Sequence, residues 1–206
     1  RETDCEFWAT VFASARPDVA IEGYHTLASV AELQLDPRTP GARRLLRVLG
    51  GSDYLARKIL ARPSLCLPLL DDAIPTSDVA TSLQNLLERE NNLDAIGAEL
   101  RRIRYAEMLR ITARDLENAP VQETAAEVSR LADQCLQAAL RALDAKSGPS
   151  PLCAMAMGKL GGNEVNYSSD IDLIFVYDNQ QRFDAELHEA CTRKVAALRS
   201  LIGNPT

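Results

Sequence analysis

The spacing of apolar residues changes period once along this chain, and that change limits the folds open to it. Up to about residue 148 the apolar positions recur at helical spacing. Beyond it they read strand, turn, strand and then helix. Between the two lies Lys146-Ser147-Gly148-Pro149-Ser150-Pro151, a short linker rich in chain breakers. The expected class is therefore α+β, with a helical domain over residues 1–148 and a second domain over 149–206.

Within the helical part, Thr39 to Leu49 carries Leu45, Leu46 and Leu49 on one side, and Gly50-Gly51 should break it. Ser52 is the expected N-cap of a helix running to about Ala61, and Pro63 can open the next one. Ser77 should cap another, with Val79, Leu83, Leu86 and Leu87 facing inward. Leu93 to Leu116 predicts one long amphipathic helix, with Leu93, Ile96, Leu100, Ile103 and Ile111 inward. After Pro120 a second long helix places Val128, Leu131, Cys135, Leu136, Ala139, Leu140 and Leu143 on one face. A final helix is expected from about Phe183 to Leu201. Arg101, Arg102, Arg104, Arg110 and Arg114 read as a solvated face paired with Glu99, Glu107 and Asp115, with a docking surface for a protein partner as the alternative. Phe7 and Trp8 read as a core anchor.

Composition excludes several function classes. The formal net charge of −6 argues against nucleic acid as the main partner. Five scattered cysteines without a C-x-x-C pair indicate neither a disulfide framework nor a zinc site. His25 and His188 lie far apart, which disfavours a histidine-based triad. Signal-peptide and membrane-spanning patterns are absent, so the expected location is cytoplasmic.

Chemistry concentrates in one stretch. Leu152-Cys153-Ala154-Met155-Ala156-Met157 reads as a buried strand. Gly158, Gly161 and Gly162 then crowd into a turn. Such a turn lets backbone N–H groups approach a phosphate, and Lys159 adds a point charge suited to one. The spacing is neither the P-loop pattern nor G-x-G-x-x-G. Asp170 and Asp172 follow at i, i+2, at the start of an apolar strand. Side chains alternate along a strand, so the two carboxylates should point the same way and can share Mg²⁺. Ile171, Leu173 and Phe175 on one face, with Ile174 and Val176 on the other, predict a strand buried on both sides.

The block G-K-L-G-G-x-E-x-N-x-S-S-D-x-D-L over residues 158–173 resembles the signature of the glutamine synthetase adenylyltransferase family. Those are large bifunctional enzymes with two nucleotidyltransferase halves. One half attaches AMP to a tyrosine of glutamine synthetase, and the other removes it by phosphorolysis. The resemblance implies a polymerase-β-like nucleotidyltransferase fold for 149–206. It implies that Asp170 and Asp172 are catalytic and hold Mg²⁺. It places Gly158, Lys159, Gly161, Gly162, Ser168 and Ser169 at a nucleotide or phosphate. Ser169 either orients a phosphate or carboxylate, or caps the turn. Glu164 more naturally holds the turn than reacts.

The resemblance further implies glutamine synthetase as protein substrate, ATP or ADP and phosphate as small substrates, and PII-type signalling proteins as regulators. The wording Met157-Gly158-Lys159-Leu160 with Glu164-Val165-Asn166 is closer to the amino half. The expected reaction is thus phosphorolysis of AMP-tyrosine to ADP. The alternatives are the ATP-dependent adenylylating half, or a non-catalytic helical interaction module with a degenerate transferase fold. The family carries a third carboxylate in a later D-x-R-L-R-P segment, and none occurs through Thr206. By itself the chain is expected not to turn over.

Overall fold

The computed structural model describes residues 2–178 and 184–203, with side chains from Cys5 onward. The helices are α1 (Glu2–Ala13), α2 (Pro17–Ala28), α3 (Pro40–Gly51), α4 (Asp53–Ala61), α5 (Val79–Arg89), α6 (Leu93–Leu116) and α7 (Val121–Ser147). A 3₁₀ segment, Pro63–Leu69, follows α4. Then come β1 (Leu152–Met157), a single turn α8 (Gly158–Gly161), β2 (Asp172–Tyr177) and α9 (Ala185–Gly203). No helix among the described residues is long and apolar enough to cross a membrane. Contacts divide the chain into two compact units, Arg1–Ser77 with Tyr105–Thr124, and Asp78–Arg104 with Ala125–Thr206.

The first unit is built around α3. Thr39 caps it by accepting the Ala42 N–H at 3.1 Å, and Pro40 supplies a first-turn φ that suits a helix. Leu45, Leu46, Val48 and Leu49 are fully buried against Leu27, Ile59 and their neighbours. Each such leucine contributes about 1.5–3 kcal/mol by leaving water. Gly50 and Gly51 close the last turn of α3, which ends there as expected. A Cβ at Gly51 would stand 3.0 Å from a methyl of Leu116, so here the small residue serves packing. Ser52 caps α4 as expected, accepting the Leu55 N–H at 3.3 Å.

Arg44, on α3, is buried at 4% exposure. Its guanidinium donates to the carbonyls of Leu69 at 2.9 Å and Asp71 at 2.8 Å, and to the Glu117 carboxylate at 3.1 Å. A buried charge is tolerable only with partners of this kind. Phe7 is the inward aromatic, edge-on to Tyr24 at 5.2 Å between ring centroids. Trp8 instead lies outward, 47% exposed, beside Phe12. Helical geometry turns consecutive side chains to different faces, so only one of the pair anchors the core.

The expected solvated arginine face of α6 is only partly solvated. Arg102 pairs with Glu99 at 2.7 Å and Arg114 with Glu123 at 3.0 Å, both with solvent access. Arg110 and Glu107, by contrast, form a buried pair at 2.9 Å.

In the second unit α5 begins at Val79 with Asp78, not Ser77, at the N-cap position. Burial of Val79, Leu83 and Leu86 sets that register. Phe183, the expected start of the last helix, lies outside the described residues; Asp184 caps α9 by accepting the Leu187 N–H at 3.0 Å. Lys194 of α9 is buried and fastens to α7, donating to Asp144 at 2.6 Å and to the Gly148 carbonyl at 2.9 Å.

β1 and β2 form an antiparallel pair, the one sheet among the described residues, with Met157 opposite Asp172 and Leu152 opposite Tyr177. Burial alternates along both strands. Leu152, Ala154, Ala156, Leu173, Phe175 and Tyr177 are half-buried on one face. The other face carries Met155, Met157, Ile174 and Val176, all between 41% and 48% exposed. The expectation of a strand buried on both sides is thus corrected: one face is half-buried and the other exposed, and continuous apolar sequence does not reveal which side is covered.

Candidate active site

The glycine-rich stretch folds as the single turn α8, closed by the Gly162 N–H donating to the Gly158 carbonyl at 3.0 Å. Gly158 has φ +52, a conformation that L side chains rarely adopt. A Cβ there would lie 2.9 Å from Asp172 Oδ2. A Cβ at Gly161 would lie 2.7 Å from the Ala156 carbonyl oxygen. Both glycines therefore permit close approach, one to a carboxylate and one to the strand backbone. Glu164 returns to the turn, its N–H donating to the Lys159 carbonyl at 2.9 Å and its carboxylate lying against Gly162.

From Gly158 to Asp170 the chain is almost wholly solvent-exposed. Leu160 and Val165 are buried, at 4% and 3%, and hold the loop down. Val165 also donates its N–H to Ser129 Oγ of α7 at 3.0 Å. Asn166 then gathers the serines. Its Oδ1 accepts from the Ser168 N–H at 3.1 Å, the Ser168 hydroxyl at 3.1 Å and the Ser169 hydroxyl at 2.8 Å. Lys159 Nζ donates to Ser169 Oγ at 3.1 Å. Ser169 is thus a hub that ties the lysine ammonium to the turn before the acidic residues.

Asp172 opens β2, on the same sheet face as Met157, and is exposed. Asp170 is exposed and lies two residues ahead of the strand, in the irregular segment that follows Ser169. The alternation argument therefore applies to Asp172 alone. Among the described residues no group of three or more His, Cys, Asp or Glu side chains gathers as a metal-ligand set. The local donors are carboxylate oxygens and hydroxyls without sulfur or imidazole. That chemistry fits a hard cation such as Mg²⁺, which takes one or two carboxylates and completes its shell with water and phosphate.

Two features of this site had a weak sequence signal. Ser129 sits between Val128 and Leu131, within the inward stripe of α7. A small polar residue on a buried stripe needs a hydrogen-bond partner, and that was the available clue. Asn166 stands inside the block that resembles the family signature, but its gathering of both serines depends on turn geometry that spacing alone does not specify.

The family described as glutamate-ammonia ligase adenylyltransferase matches residues 42–200 of this chain. The chain is similar to bifunctional glutamine synthetase adenylyltransferase/adenylyl-removing enzymes from several bacteria. With that of Thioalkalivibrio sulfidiphilus it shares 34% identity over 160 residues, covering 69% of this chain and 16% of that protein. For Pseudomonas aeruginosa the identity is 35% over 150 residues, 64% of this chain and 15% of the relative. With that of Corynebacterium glutamicum the identity is 30% over 220 aligned residues, taking in 94% of this chain and 21% of the relative. The chain thus spans roughly a sixth to a fifth of the length of the relatives it matches. The extent of the family match establishes that this chain belongs to the glutamate-ammonia ligase adenylyltransferase family.

Proposed function

We propose that this chain supplies part of a nucleotidyl-transfer site that removes AMP from a tyrosine of glutamine synthetase, with inorganic phosphate as acceptor and ADP as product. The observation that carries the reading is the Asp172 carboxylate lying directly against Gly158, the neighbour of a Lys159 that is held at Ser169, inside the stretch matched by the family. The polymerase-β-like fold of residues 149–206, with a boundary near residue 148, belongs to the same proposal. It is supported by the change from helix to strand at Leu152.

In this reaction a phosphate oxygen attacks the AMP phosphorus in line. A new P–O–P bond forms while the bond to the tyrosine oxygen breaks. The electron pair leaves with the phenolate, which takes up a proton. Such chemistry requires positioning and charge stabilisation more than covalent help from the protein. Asp170 and Asp172 would hold Mg²⁺, which when bound offsets charge on the phosphoryl oxygens. Lys159, held at Ser169, would orient a phosphate oxygen by charge-assisted hydrogen bonding. The exposed backbone of α8 leaves room for a phosphate close to Gly158.

The test places this sequence within a full-length family protein and supplies adenylylated glutamine synthetase, Mg²⁺ and phosphate. Phosphate-dependent ADP that disappears in Asp172→Asn supports the proposal. AMP incorporation from ATP into unmodified synthetase, without ADP release in the first assay, reverses the direction and keeps the site. Silence in both directions from a folded protein leaves the non-catalytic interaction module. That third reading draws on one observation, the absence of a three-acid cluster among the described residues.

A further inference from the structure

Ser129 lies on α7, outside the glycine turn and the acidic residues, and its side chain grips the loop that carries them. The residue is fully buried, at 0% exposure. Its hydroxyl donates to the Ala125 carbonyl one turn back, at 2.8 Å. The same oxygen accepts the Val165 N–H at 3.0 Å, across 36 residues of sequence. Both hydrogen-bonding directions of the hydroxyl are thus in use. Val165 is buried as well, so neither its N–H nor the serine oxygen has water as a substitute partner.

The position of this bond along the loop gives it leverage. Val165 is followed at once by Asn166, whose carboxamide orders Ser168 and Ser169. Ser169 holds Lys159, and Asp170 is the next residue. On the other side Glu164 is tied by its N–H to the Lys159 carbonyl. Every polar group of the candidate site between Lys159 and Asp170 is therefore within a few residues of one buried anchor point. A segment this exposed has little other burial to define it, since Leu160 is its second inward side chain.

We infer that Ser129 is a positioning residue: through the Val165 N–H it fixes the 158–170 loop on α7 in the arrangement that presents Lys159, Ser169 and Asp170. This inference rests on the proposed nucleotidyl-transfer site for its functional meaning and on the Ser129–Val165 bond for its physical one. Removing the hydroxyl leaves a buried donor unpaired and lets the loop open locally, while the helices that surround it keep their own packing.

The experiment compares the native chain with Ser129→Ala and Ser129→Thr by amide hydrogen exchange, and titrates each with Mn²⁺ as the metal probe. In Ser129→Ala, exchange at Val165 and across 159–170 should accelerate about tenfold, with amides of α3 unchanged. Mn²⁺ affinity should fall about tenfold, the size expected when the support behind ligands is removed. Ser129→Thr, which keeps the hydroxyl, should restore most of both. If Ser129→Ala does not fold, Ser129→Cys keeps the volume, weakens the acceptor and replaces it in the comparison. Unchanged exchange at Val165 overturns the inference. So does acceleration spread evenly over the whole chain, which would mark Ser129 as merely structural. A native chain that binds no Mn²⁺ counts against the metal reading of the site instead, and exchange at Val165 then decides the role of Ser129 by itself.

Discussion

The Asp172 carboxylate lies against the backbone of Gly158, so close that a methyl group on the glycine would come within 2.9 Å of Oδ2. The glycine also has φ +52. Gly158→Ala therefore does two separable things. It strains the backbone, at a cost of about 1 kcal/mol, and it displaces a carboxylate of the candidate site. Gly148→Ala is the natural comparison, because Gly148 has φ +82 with nothing among the described residues within 4 Å of a Cβ. Both variants should lose similar thermal stability. Mn²⁺ titration should show weakened binding, by about tenfold, in Gly158→Ala alone.

Arg44 holds the chain segment after the 3₁₀ helix by donating to the Leu69 and Asp71 carbonyls, and its charge is answered by Glu117. Arg44→Met keeps much of the volume and removes every one of those bonds. Urea unfolding should show a loss of about 2–4 kcal/mol, chiefly from buried carbonyls left without donors. Glu117→Gln should cost less, since the carbonyl contacts persist.

Tyr24 is buried and its hydroxyl has no hydrogen-bond partner among the described residues. Tyr24→Phe should therefore raise stability, by about 1 kcal/mol, against the usual trend for core substitutions. Burial, with a smaller contribution from the Asp36 charge, pushes the Tyr24 phenol up to about 12. The folded state thus keeps this proton at a pH where the unfolded chain, titrating near about 10, has lost it. Stability falls as pH rises through the window from about 10 to about 12. Stability curves for wild type and Tyr24→Phe should coincide in slope below that window and diverge inside it.

Hydrogen bonds from the Arg38 guanidinium and backbone hold the Asp36 carboxyl down to about 2. A carboxylate with a depressed folded value contributes stability above its unfolded value, and that contribution disappears as pH falls toward 2. NMR titration of the Asp36 carboxyl should place its midpoint there, and Arg38→Ala should return it toward the ordinary carboxylate range.

Much of the backbone plan was legible in sequence, for identifiable reasons. Leu93–Leu116 and Leu152–Met157 are continuous patterns bounded by breakers, and both elements occur with those limits. Ser52 as an N-cap was readable because a hydroxyl before an apolar-periodic run has one obvious use. Ser77 failed as a cap because the burial of Val79 fixed the register one residue further on. Gly50-Gly51 correctly marks where α3 ends, while the packing of both glycines against Ser14 and Leu116, which are distant in sequence, has no local signal. At the candidate site the residue types were legible. The Asn166 network and the Ser129 anchor were not, since both depend on which groups the folded loop brings within 3 Å or so.

The half-covered sheet makes this chain its own chemical reporter. Cys153 stands on the uncovered face, next to Met155 and Met157, in line with Asp172. Cys66, Cys135 and Cys191 are buried, and burial pushes the Cys66 thiol up to about 11, which keeps it from reacting at neutral pH. Alkylation of the folded chain should thus be confined to Cys5 and Cys153. The labelling rate at Cys153, read against Cys5 as an internal clock, then reports any ligand or partner that comes to cover the face that Asp172 shares, without a mutation or a fluorophore being introduced.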